Sequence, residues 1–263
     1  MNRYFVHTVL CVLFLAGAAG CNFSRAEKWN PEPVIAVRSF EVVKIDGRLD
    51  DPVWNTAPRY HLDRNFAWEG GPLLKNETIG PNLRESGFVQ VAWDDRYLYI
   101  AFFCVDSDVE VREQQDQQRL YSTGDLGEVF IKPANADYYW ENYIAPSGNK
   151  SSLFFPSRGL FGLTDITDKN PMQGLNVAAV VHGTLNNWAD TDQGWTGEIA
   201  IPIAELEQFG ISFTQAPWTI FFGRYNYSLS LPAPELSCYP VVPARSFHLT
   251  EYYPKLILQG SKQ

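Results

Sequence analysis

Glu128 is the residue of this sequence best placed to do chemistry. It is a carboxylate entering an apolar run, Val129, Phe130 and Ile131, with Asp125 just before it and Tyr121 at the head of the stretch. A carboxylate where an apolar run begins belongs at the mouth of a core, because burying it unpaired costs several kcal/mol. Two roles stand open: a strand-end glutamate paired with an arginine or a backbone N–H, or the polar anchor of a ligand site flanked by Tyr121. Glycoside hydrolysis needs two carboxyl groups across the bond, roughly 5–9 Å apart; Asp125 and Glu128 read instead as a turn cap and a single anchor. There is no Gly-x-Ser-x-Gly nucleophile elbow. His7, His61, His182 and His248 lack metal-ligand spacing. Met172 and His182 are weak material for a haem site. The residues point to binding rather than catalysis.

These groups must be positioned by strands. Around Glu128 the alternation puts Val129 and Ile131 on one face, and Glu128, Phe130 and Lys132 on the other. Gly124 and Gly127 are expected to let the chain bend into the strand, and Pro133 to stop it. From residue 34 onward period-two patterns recur between turn residues, predicting strands at 34–43, 88–93, 97–105, 136–144, 175–181, 195–202, 218–227 and 255–258. Asp94, Asp95 and Arg96 turn the strongest hairpin. Its second strand is apolar on both faces, as in a covered sheet. Pro202 begins a short helical turn over 203–209 that Gly210 ends. Residues 61–85 read as a binding loop or a surface insertion, and 150–174 as irregular. The class predicted is all-β: an antiparallel β-sandwich of two packed sheets with few short helical turns.

With 45% hydrophobic and 14% aromatic residues the chain can bury a substantial core. A formal charge of −9 without a basic cluster argues against nucleic acid and against electrostatic attachment to anionic lipid. Residues 1–20 read as a signal peptide: Arg3, an apolar run, then small residues. Ala18, Ala19, Gly20 and Cys21 resemble a bacterial lipobox, which implies lipidation of Cys21 and a tether over 21–34, with residues 35–263 forming the domain. That places the chain in the bacterial cell envelope, in the outer membrane or facing the periplasm, touching the membrane through its anchor alone. Cys104 and Cys238 could form a disulfide or remain buried thiols.

Four segments together resemble carbohydrate-binding module family 9, within the wider DOMON-like sandwiches. They are the stretch from Ile45 and Asp46 through Asp51 and Pro52 to Trp54, the hairpin through Trp93 and Tyr97, the stretch around Glu128, and the run from Trp195 through Glu198 to Pro202. The resemblance runs from about Ile45 to Leu258. It implies a ligand cleft at one edge, where two tryptophans sandwich a sugar and polar groups bond its hydroxyls. The glutamate of that site falls on Glu128, one tryptophan on Ser122 beside Tyr121, the other on Phe247, an arginine near Tyr143, and an asparagine near Ala244 or Arg245. Arg224 could pair with Glu128 or bind a hydroxyl. Trp54, Trp93, Trp195 and Trp218 read as core; Trp68, Trp140 and Trp188 read as nearer to loops or edges. Carbohydrate-binding residues are thus expected at Tyr121, Glu128, Tyr143, Arg224 and Phe247, with no cofactor. The resemblance allows calcium without placing its ligands. The function expected is a glycan-binding lipoprotein acting as an accessory in polysaccharide degradation. The alternative is a structural or interaction lipoprotein on the same sandwich, with glycoside hydrolysis or haem binding as weaker readings.

Overall fold

A computed structural model of the chain describes residues 31–63, 66–67, 83–112, 114–160, 164–231, 233–242 and 246–260. Cys21, Trp68, Ala244 and Arg245 lie outside them. The strands are β1 (Val34–Arg38), β2 (Tyr60–His61), β3 (Phe66–Ala67), β4 (Gly87–Trp93), β5 (Tyr97–Val105), β6 (Leu126–Pro133) and β7 (Tyr139–Ile144). They continue with β8 (Lys150–Phe155), β9 (Asn176–His182), β10 (Gly194–Pro202), β11 (Trp218–Asn226), β12 (Glu235–Tyr239) and β13 (Lys255–Leu258). Helices among the described residues are short turns; the one over 203–209 ends at Gly210 as its sequence predicts. None is long and apolar enough to cross a membrane.

The strands form one continuous mixed sheet in the order β8-β7-β6-β11-β13-β1-β4-β5-β10-β9, with β12 beside β11 and β2 beside β4. Most ladders are antiparallel, but β1 runs parallel to both β4 and β13. This corrects the expectation of a purely antiparallel arrangement. β1 is also shorter than predicted: beyond it Phe40 and Val42 are 90% and 83% exposed and pair with nothing in the sheet. β8 falls in the stretch read as irregular, and β12 had no strand assigned to it.

The sheet turns back on itself, so that its two halves share one core. Val129, Ile131, Ile220 and Phe222 from β6 and β11 pack in the same cluster as Val91, Ile100, Phe102 and Ile199 from β4, β5 and β10. Each such large apolar side chain stabilises the fold by roughly 1.5–3 kcal/mol when fully buried. The hairpin expected around residues 94–96 is present, with Phe88 to Trp93 paired in sequence against Phe103 to Leu98. Trp54, Trp93, Trp195 and Trp218 are core residues as read, but so is Trp140, which is fully buried beside Phe154 and Trp218. Its place on the inner face of β7 removes it from the candidate ligand rings. Trp188 is 74% exposed on a loop.

The segment from Ile45 to Trp54 closes over the outer face of β10, and one carboxylate fastens it. Glu198 accepts from the Trp54 indole N–H at 2.9 Å and from the backbone N–H groups of Asp46 and Gly47 at 3.0 and 2.8 Å. Thr196 Oγ1, also on β10, donates to the Gly47 carbonyl. Two motifs distant in sequence are therefore a single structural unit, in which three donors satisfy a buried carboxylate.

Candidate carbohydrate-binding site

The alternation read around Glu128 is present, but both faces of β6 are covered. Val129 and Ile131 face the main core, while Phe130 lies in a second buried cluster on the outer face with Tyr139, Tyr143, Phe155, Phe221 and Phe247. β7 and β11 flank β6: Glu128 stands opposite Tyr143 on one side and Gly223 on the other, and Phe130 opposite Glu141 and Phe221. Gly124 and Gly127 serve close approach rather than a bend. A methyl at Gly124 would lie 2.3 Å from the Glu110 carbonyl oxygen, and one at Gly127 would lie 3.0 Å from the Phe102 ring.

Phe247 arrives on the outer face from a segment far along the chain. Its ring packs against Phe130 at 6.3 Å, Phe221 at 5.3 Å and Tyr225 at 5.9 Å between centroids. It lies over Gly223: a Cβ there would be 2.7 Å from the ring and 3.1 Å from Glu128 Oε2. Tyr121 contacts Tyr143 at 6.3 Å and Tyr225 at 6.0 Å. Tyr121 and Tyr225 are partly exposed; Glu128, Tyr143 and Phe247 lie beneath, at 1%, 1% and 7% exposure. The structure thus brings Tyr121, Glu128, Tyr143 and Phe247 onto one face. Ser122 is exposed and turns its hydroxyl to the Arg119 carbonyl.

Arg224 does not join them. Being one residue along from Gly223, it points to the opposite face of β11, into the main core. Its guanidinium bonds the carbonyls of Glu85, Ser86 and Val105, together with Asp106 at 3.2 Å and Asn226. It is fully buried, and both terminal nitrogens are engaged, while its Nε has no hydrogen-bond partner among the described residues. The expectation that Arg224 pairs with Glu128 or meets a hydroxyl beside it is corrected: it is a strut between the two halves of the sheet. Asp106 is pushed up to about 6 by burial, with Arg224 pulling against that shift.

Sequence reasoning missed Glu141 and Tyr225. Glu141 lies on the outer face of β7, buried, and accepts from the Tyr143 hydroxyl at 2.6 Å. Its carboxyl is raised to about 7 by burial, against the Tyr143 bond and the field of Arg119. Glu128 is raised well above the usual carboxylate range by burial and by the neighbouring Glu141. Its Oε2 is buried without a hydrogen-bond partner among the described residues. His248 bonds Tyr139 through Nδ1 at 2.9 Å and comes within 4.0 Å of Glu141. Burial, with the fields of Arg119 and Arg158, lowers His248 to about 4. The signal for Glu141 was its parity with Tyr139 and Tyr143, legible only once β7 is known to lie beside β6.

Among the described residues no group of three His, Cys, Asp or Glu side chains could hold a metal ion, so no calcium ligand set is placed. Cys104 and Cys238 are buried thiols, and burial pushes Cys104 up to about 12.

No protein-family model matches the sequence, and no curated protein matches it. Solved structures do. A candidate carbohydrate-binding protein from Bacteroides uniformis is similar with a TM-score of 0.61 and 13% identity, over 86% of this chain and 98% of that one. A carbohydrate-binding module family 9 domain from Caldicellulosiruptor kristjanssonii is similar in two complexes. The glucose complex gives a TM-score of 0.57 and 13% identity, over 86% of this chain and 96% of that one. The cellotriose complex gives 0.54 and 12%, over 87% and 94%. The chain has a family 9-like fold.

Proposed function

We propose that this protein binds carbohydrate on the outer face of β6, β7 and β11, without chemistry of its own. One observation carries the reading: Glu128 Oε2 is a buried oxygen without a hydrogen-bond partner among the described residues, set among aromatic rings of which Tyr121 and Tyr225 reach the surface. A sugar offers both complements. Its hydroxyls can satisfy the oxygen, and its apolar C–H face can cover the rings. The fold shared with sugar-bound family 9 domains supports this reading at the level of architecture.

The finer parts of the proposal follow from the sequence. The continuous sheet is read as a sandwich of two packed halves. The chain is anchored through a lipid on Cys21 to the bacterial envelope, and it serves polysaccharide breakdown as an accessory binder. Affinity electrophoresis over plant, algal and host glycans tests the binding. Retardation of the wild type that is lost in Glu128→Ala and weakened in Phe247→Ala is the expected result. Wild-type migration unchanged by every glycan overturns it.

One observation favours a second reading. Glu128 and Phe247 are covered, so the face is closed where the family's cleft would open. A structural or interaction role on the same scaffold is then the function, and failure to bind any glycan selects it.

A further inference from the structure

We infer that the site around Glu128 takes uncharged or amino sugars and excludes uronic acids and sulfated sugars. This rests on the carbohydrate reading and adds the charge class of the ligand.

Two carboxyl groups, Glu128 and Glu141, occupy the same face of adjacent strands, at 1% and 3% exposure. Among the described residues the other polar groups facing them are phenols and one imidazole: Tyr143 and Tyr139 from β7, Tyr225 from β11 and Tyr227 just past its end, Tyr121 from the preceding turn, and His248 and Tyr253 from the segment across the face. His248 is neutral at neutral pH, since burial holds it low. The described cations nearby are committed elsewhere. Arg119 bonds Thr167 and Asp168, and Arg158 pairs with Glu251. Lys132, on the same face at the far end of β6, gives its ammonium to the carbonyls of Pro133 and Ala134. Arg224 lies on the opposite face, against Asp106.

An anionic sugar entering here would lose its water and gain no countercharge from the described residues, beside two carboxyl groups. A hydroxyl could satisfy Glu128 Oε2 without any change of charge. An ammonium would do more. It would favour ionisation of a carboxyl whose proton burial holds more tightly than usual, so binding an amino sugar would release a proton.

Titration calorimetry at pH 7 in two buffers of different ionisation enthalpy tests this. The probes are matched oligosaccharides of glucose, glucosamine and glucuronate, and of galactose, galactosamine and galacturonate. The expected result is binding of a neutral or amino member with the matching uronate at least about tenfold weaker. Where an amino member binds, proton release should accompany it, and Glu141→Gln should narrow the gap to the uronate. A uronate bound tighter than its neutral and amino counterparts, or within about tenfold of the better of them, overturns the charge inference and leaves carbohydrate binding standing. No heat from any of the six probes overturns the carbohydrate reading and this inference together. If Glu141→Gln does not fold, the wild-type ranking decides alone.

Discussion

Tyr143 stands directly opposite Glu128 across the β6–β7 ladder, yet its hydroxyl donates to Glu141 at 2.6 Å. The phenol therefore satisfies one buried acid and leaves the Oε2 of the other without a partner among the described residues. That asymmetry supplies the oxygen on which the proposed binding rests, and it makes Tyr143 a positioning residue for Glu141.

Tyr143→Phe should leave a Glu141 oxygen buried and unsatisfied. The expected loss of stability is about 1–3 kcal/mol, measured by urea unfolding at neutral pH. An unchanged midpoint would mean that Glu141 finds another donor.

The acids on this face set a pH dependence with a definite sign. Glu141 moves from 4.5 to about 7 on folding, so the folded state holds its proton more tightly than the unfolded chain. Its stabilising contribution is fully present below pH 4.5 and is lost as pH rises through 7, by on the order of a few kcal/mol. Glu128 acts in the same direction. His248, lowered from 6.5 to about 4, acts oppositely between those values. The difference in stability between wild type and Glu141→Gln isolates the glutamate, and it should shift in the variant's favour as pH rises from 4.5 to 7. A constant difference would contradict the burial argument.

Gly223 makes room for the ring that covers Glu128. Gly223→Ala places a methyl 2.7 Å from Phe247 and 3.1 Å from Glu128 Oε2. Overpacking of this kind costs about 1–3 kcal/mol, and shifting the ring should also weaken glycan retardation. Thermal melting and affinity electrophoresis on one preparation read both effects.

Arg224 separates scaffold from site. Arg224→Ala leaves Asp106 buried and uncompensated, which should destabilise by about 3–5 kcal/mol. Glycan affinity of the fraction that remains folded should be unchanged. A selective loss of binding with stability intact would return Arg224 to the site.

Much of this protein was decided by local pattern. Alternation alone put Glu128 and Phe130 on the opposite face from Val129 and Ile131. It located the hairpin of β4 and β5 and the closing strand Lys255–Leu258, and Pro202 with Gly210 bracketed the helical turn. These features are legible because side-chain direction along a strand, and the stop of a helix, depend on neighbours a few residues away. Which strands lie side by side is not local. The parallel pairing of β1, the placing of Glu141 next to Glu128, and the arrival of Phe247 over Gly223 all join residues far apart in the chain. The same holds for Arg224: parity sets it opposite Gly223, but only the closing of the sheet on itself supplies the carbonyls and Asp106 that hold it. Local sequence chose the faces, and long-range packing chose which face would be filled by its own chain, because burial of an outer face depends on what the rest of the molecule lays across it.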